Sequence, residues 1–151
     1  MNYSNKKNAL LNLYKMIKNI ESNHDQHADS PFCLIIDNIS ILLDTQPKED
    51  VIDFVLCCRS FIESLNTKNG NSLLVILAHG DIETDFVKAL LHQSDLSLIV
   101  SGFKSGYHSD VDGQLSFLRS TGESELNPLP YLLFKVMEND IKFTTIKNIK
   151  Q

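Results

Sequence analysis

The chain has 151 residues, 42% of them hydrophobic and 22% charged, with a formal net charge of −5. That length fits one domain, which buries roughly 70% of its unfolded surface and so has a true core. The acidic balance argues against unaided nucleic-acid binding, which needs clustered Lys and Arg. No apolar run reaches the ~18–20 residues of a membrane span.

Leu10, Leu13, Tyr14, Ile17 and Ile20 recur at helical spacing, with Lys6, Lys7, Lys15 and Lys18 off that stripe. They predict an amphipathic helix across 1–22, and an amphipathic start is not a signal-peptide apolar segment. An intracellular protein is expected. A polar loop leads to Phe32-Cys33-Leu34-Ile35-Ile36-Asp37, a continuous apolar run ending in an acid. It reads as a parallel strand buried on both faces. Pro47, Glu49 and Asp50 mark the start of a helix, whose face is Val51, Phe54, Val55, Cys58, Phe61, Ile62 and Leu65. Asn69-Gly70-Asn71 stops it.

Leu73 to Ala78 is a second apolar strand, also expected to be buried on both faces. A strand–helix–strand unit of this length implies a right-handed parallel crossover. Glu83 to His92 reads as a short helix and Leu96 to Val100 as a third strand, which closes the parallel βαβ part, 32–101. From 113 to 147 the runs are short and partly alternating: Leu115 to Arg119, Tyr131 to Met137 and Ile141 to Ile146. Glu138-Asn139-Asp140 turns between the last two, so these read as antiparallel strands with a hairpin. The fold class is α/β, with a mixed sheet flanked by helices.

In nucleotide-binding α/β proteins a strand-end acid such as Asp37 faces the crevice where ligands bind. There it holds Mg²⁺ or polarises a water, while a Gly-rich loop cradles the phosphates. This chain has no G-x-x-x-x-G-K-[ST] and no glycine before Gly70. Asp37 therefore has two readings: a vestigial nucleotide-site acid, or a carboxylate that caps the Asn38–Ser40 turn. His79 ends the next strand, where it is either a phosphate-sensing position or a plain loop histidine. His24 and His27 lack a second ligand pair for zinc. No G-x-S-x-G nucleophile elbow occurs. The odd count of Cys33, Cys57 and Cys58, all in apolar surroundings, fits buried free thiols in a reducing compartment.

Ile35-Ile36-Asp37-Asn38-Ile39-Ser40-Ile41-Leu42-Leu43 resembles a segment of the sixth-subunit family of the Elongator complex. So do Val51-Ile52-Asp53-Phe54 with Cys58-Arg59, His92-Gln93-Ser94, and Gly106 through Asp112-Gly113-Gln114-Leu115. The resemblance runs in order from Phe32 to Phe143. The Asp-x-x-Gly-Gln-Leu start to a strand is its most specific part.

That resemblance implies a RecA-like fold of the P-loop-NTPase type without a phosphate loop. It implies a non-catalytic subunit that joins two paralogous RecA-like partners, two copies of each, in a hexameric ring. That ring is the accessory half of Elongator, which acts with the complex's catalytic part to modify wobble uridines of tRNA at C5. The ring binds tRNA and, as an assembly, hydrolyses ATP, which promotes tRNA release. Residence in the cytoplasm, and also the nucleus, is expected. No catalytic residue, metal or cofactor of the chain's own is implied.

The family has opening strands ahead of the first strand seen here, so the chain reads as a partial RecA-like domain, shortened at the front. Within such a ring the loop with Lys104, Tyr107 and His108, together with Arg119 on the following strand, is the local candidate for a tRNA contact. Asp110 and Asp112 counteract it, and an ordinary solvent-facing connection is the other reading. Two alternatives stand beside this one: a RecA-like ATPase of recombination or circadian-clock type cut down to its later half, and an inactive α/β interaction domain.

Overall fold

The computed structural model describes residues 3–23, 31–80, 84–102, 110–120, 126–128 and 130–145. The chain groups into two compact units, Met1–Leu90 and Leu91–Gln151. The first contains helix α1 (Tyr3–Ser22), strand β1 (Cys33–Ile36), short helix α2 (Ser40–Leu43), helix α3 (Lys48–Asn69), strand β2 (Leu73–Ile76) and most of helix α4 (Thr84–Gln93). The second holds β3 (Leu96–Gly102), β4 (Gly113–Ser120), β5 (Leu126–Pro128), β6 (Leu132–Val136) and β7 (Ile141–Thr144). Mixed α/β architecture with one parallel and one antiparallel sheet is therefore present.

Local chemistry sets the bounds of α3. Pro47 stands before the first turn with non-helical ψ 143°, and its carbonyl accepts from Val51 N–H at 3.1 Å. Glu49 and Asp50 lie at the positive end of the helix dipole and Lys68 at the negative end. Gly70 closes the helix at φ 75°, in the left-handed region, donating to the Asn66 carbonyl at 3.1 Å. Asn66 then holds the exit: its Oδ1 accepts from Ser72 N–H at 2.6 Å and its Nδ2 donates to the Ser72 carbonyl at 3.0 Å.

Every residue of the expected α3 face is buried, from Val51 to Leu65. Leu10 and Ile17 of α1 join this core, as do Ile39 and Phe86. Phe61 meets the edges of Tyr14 and Phe32, with centroids 6.4 and 5.9 Å apart. From the sheet come Leu34, Ile36, Leu74, Ile76 and Ala78.

β1 and β2 pair in parallel, Cys33 opposite Leu73 through Ile36 opposite Ile76. The expectation that both strands are buried on both faces is corrected. Burial alternates strictly along each strand. Helix-facing residues lie in the core, while Ile35, Leu73, Val75 and Leu77 are 66%, 56%, 40% and 55% exposed. The physical reason is that, within the first unit, the described helices pack on one face of this sheet.

In the second unit β3 pairs antiparallel with β4 over seven residues, from Leu96 opposite Arg119 to Gly102 opposite Gly113. The strand grouped by its sequence with the parallel part thus hydrogen-bonds in the antiparallel sheet. β5 also pairs with β4, and β6 joins β4 to β7. Among its described residues, Val111 and Leu133 are the buried apolar ones.

The start of β4 explains why glycine follows Asp112. Gly113 lies opposite Phe134, and a Cβ there would sit 2.5 Å from Phe134 Cζ and 2.6 Å from the Ser101 carbonyl oxygen. Asp112 clamps β6 beside it. Its carboxylate accepts from Lys135 Nζ at 2.8 Å and from Val136 N–H at 2.7 Å, while its own N–H donates to the Phe134 carbonyl at 2.8 Å.

Two outcomes follow from this corner. Gly113→Ala forces backbone or ring to shift, so it lowers stability by about 1–3 kcal/mol in denaturant titration. The Lys135 side chain and then the Val136 N–H hold the Asp112 carboxyl below its ordinary value of 3.8. A lowered folded-state value means the clamp's contribution is full above the unfolded value and is lost as pH falls through the folded one. Asp112→Asn should therefore flatten the acid side of the melting-temperature profile below about pH 4.

Candidate functional site

The C-terminal end of the two-stranded parallel sheet gathers the polar groups of the first unit. Pairing runs past the strands: Leu77 N–H donates to the Ile36 carbonyl at 3.0 Å, and Ile39 N–H to the Leu77 carbonyl at 2.9 Å. Between them the chain turns through Asp37 and Asn38. Asn38 takes φ 58°, the only described non-glycine residue in the left-handed region. Asn is among the few side chains that tolerate it. The turn lets Ile39 drop fully into the core, and α2 follows.

Ser40 ties this turn to β2, accepting on Oγ from the His79 backbone N–H at 3.1 Å. Asp37 and His79 thereby stand at one sheet end, both exposed. The bonds that close the turn run through Asn38, Ile39 and Ser40. Asn38 Oδ1 is buried with no hydrogen-bond partner among the described residues.

The serine, histidine and acid here do not form a nucleophilic triad. Such a triad needs the imidazole ring as base at the hydroxyl, whereas the link observed is from the histidine backbone. Among the described residues no cluster of three or more His, Cys, Asp or Glu could hold a metal. His24 and His27 lie outside the described residues. The arrangement offers an acid, an imidazole and a hydroxyl at the rim of an apolar sheet face.

The thiols fall into two kinds. Cys58 is wholly buried in the α3 core, and burial, then its neighbour Cys57, pushes its thiol up to about 12. It stays protonated and unreactive. The expectation of buried thiols is corrected for Cys33 and Cys57, which are exposed free thiols because they point away from the α3 core.

Lys104, Tyr107 and His108 lie outside the described residues. Arg119 is exposed on β4, opposite Leu96 of β3 and Asn127 of β5. It belongs to the second unit, and within the first unit Asp37 and His79 stand together. Sequence reasoning placed both at strand ends, and it named Ser40 only within the turn. The Ser40–His79 link spans 39 positions and has no local signal.

The Asn38 backbone yields a direct test. Asn38→Val forces a β-branched side chain into the left-handed region and should cost about 1–2 kcal/mol. Asn38→Gly should be tolerated. Equilibrium unfolding of the two variants checks the difference.

A family model described as Elongation complex protein 6 matches residues 1–138. Elongator complex protein 6 of Dictyostelium discoideum is 30% identical over 148 residues, covering 87% of this chain and 42% of that protein. Its namesake in Danio rerio is 30% identical over 126 residues, covering 78% and 47%. That of Xenopus laevis is 31% identical over 118 residues, covering 73% and 44%. The chain spans less than half the length of these curated relatives.

Proposed function

Because this chain belongs to the Elongator complex protein 6 family, we propose that it is a non-catalytic, RecA-like subunit of the Elongator accessory ring. Its role is in assembly and tRNA presentation during wobble-uridine C5 modification. The family match across residues 1–138 carries this reading. The βαβ unit β1–α3–β2, with Asp37 at its C-terminal end, is compatible with a RecA-like core. The chain supplies no glycine-lysine loop to cradle phosphates, and phosphoryl transfer needs that half of the site as much as the acid.

The proposed partners are two paralogous RecA-like subunits, the catalytic part of Elongator, and tRNA bound by the assembly. The place of action is the cytoplasm, and also the nucleus. With a net charge of −5, contact with tRNA is local and shared with ring neighbours.

Affinity purification of the tagged chain from its native cell, with partners identified by mass, tests the reading. Recovery of the RecA-like Elongator subunits is expected, and their absence sinks it. The isolated chain should hydrolyse ATP no faster than buffer, and Asp37→Asn should change nothing. In the assembled ring, Lys104→Glu with His108→Ala should weaken tRNA binding and lower the salt slope by roughly one, with the elution volume unchanged. Unaltered affinity would move the tRNA contact to other subunits.

A further inference from the structure

The connection from α3 to β2 runs through Gly70-Asn71-Ser72, directly after Asn69. Two of its peptide nitrogens, those of Gly70 and Ser72, follow an asparagine. Such a nitrogen is the nucleophile of asparagine deamidation. Base removes its proton, and it attacks the preceding side-chain Cγ to form a new N–Cγ bond. The Cγ–Nδ2 bond breaks and ammonia leaves. Water then opens the cyclic imide at either carbonyl, giving aspartate or isoaspartate. No catalyst is needed, but the nitrogen must be free to lose its proton and to swing onto Cγ.

Asn66 holds both nitrogens. Its carbonyl accepts from Gly70 N–H at 3.1 Å, and its Oδ1 accepts from Ser72 N–H at 2.6 Å. Its Nδ2 also donates to the Ser72 carbonyl at 3.0 Å, so Ser72 is gripped on both sides. A bonded N–H gives up its proton less readily, and its nitrogen cannot turn onto the preceding carbon while the bond stands. Asn71 itself is exposed and lies outside helix and strand. Water and base reach it, and no regular backbone restrains it.

The place in the fold gives the reaction a consequence. Leu73 N–H donates to the Phe32 carbonyl at 2.8 Å, where the β1–β2 pairing begins. Isoaspartate routes the main chain through Cγ and adds one carbon to it just before Ser72. Strand register is specified residue by residue, so an added backbone atom there opposes the pairing of β2 with β1. Either product also places a negative charge close to the C-terminal end of α3, where the helix dipole disfavours it.

We propose that Asn71 is a deamidation site and that Asn66 is the residue that keeps it slow, by clamping the Ser72 nitrogen. The proposal does not depend on the Elongator reading, and its test uses the purified full chain alone.

The chain is aged in mildly alkaline buffer and mapped by peptide mass, with fragmentation to locate the product at Asn71. Asn66→Ala should convert at Asn71 about five times faster than the parent, the factor expected for freeing one hydrogen-bonded amide. Asn66→Asp keeps an oxygen to accept from Ser72 N–H and should age at close to the parent's rate. Hydrogen exchange at Leu77 N–H, which donates to the Ile36 carbonyl, reads opening of the sheet and should be unchanged in both variants. An Asn66→Ala chain that ages no faster at Asn71 overturns the proposal. So does an Asn66→Asp chain that ages as fast as Asn66→Ala. A gain matched by equally faster exchange at Leu77 also overturns it, because opening of the whole sheet, and not the clamp, would then set the rate.

Discussion

Packing against α3 is the interaction on which the first unit depends. Its stripe from Val51 to Leu65 meets β1 and β2 on one side and α1 on another, so the residues of these four elements share one core. Buried aliphatic and aromatic side chains each contribute about 1.5–3 kcal/mol relative to exposure, and among the described residues no polar or charged one is buried in that core. The strands themselves are only four residues each. A two-stranded sheet that short is not stable by its own hydrogen bonds. It persists because Leu34, Ile36, Leu74 and Ile76 are held on the helix. The strand ends, and with them Asp37 and His79, are placed by that contact.

The same contact leaves the opposite face of the sheet unserved. Alternation sends Leu34 and Ile36 inward and Cys33 and Ile35 outward, and the outward set is as apolar as the inward one. A sheet designed to face water carries polar residues there. Large exposed apolar patches mark interaction surfaces. The first unit's apolar content thus exceeds what its own described helices cover.

Helices and hairpin were legible where the signal is local. The α3 face can be read residue by residue from its 3.6 period, and its stop from Asn69-Gly70. The β6–β7 hairpin follows from alternation around Glu138-Asn139-Asp140. β5 was not legible, being three residues ending in Pro128 with no period to read. α2, four residues long, is likewise below the reach of periodicity. One-sided burial of β1 and β2 could not be read because a continuous apolar run looks the same whether one face or two are covered. Of the candidate site, Asp37 and His79 were legible as polar residues ending apolar runs. The Ser40 bridge and the left-handed Asn38 depend on tertiary contacts. The role of Gly113 likewise appears only when Phe134 of another strand is laid across it.

The sheet end and the sheet face form one surface. Alternation along β2 continues beyond the strand: Leu77 is exposed, Ala78 packs on the core, and His79 is exposed again. Asp37 stands exposed at the matching end of β1. A partner element lying on Ile35, Val75 and Leu77 would reach the rim that carries the acid and the imidazole. Polar groups bordering an apolar patch are what an interface rim requires, and there they fix register and orientation.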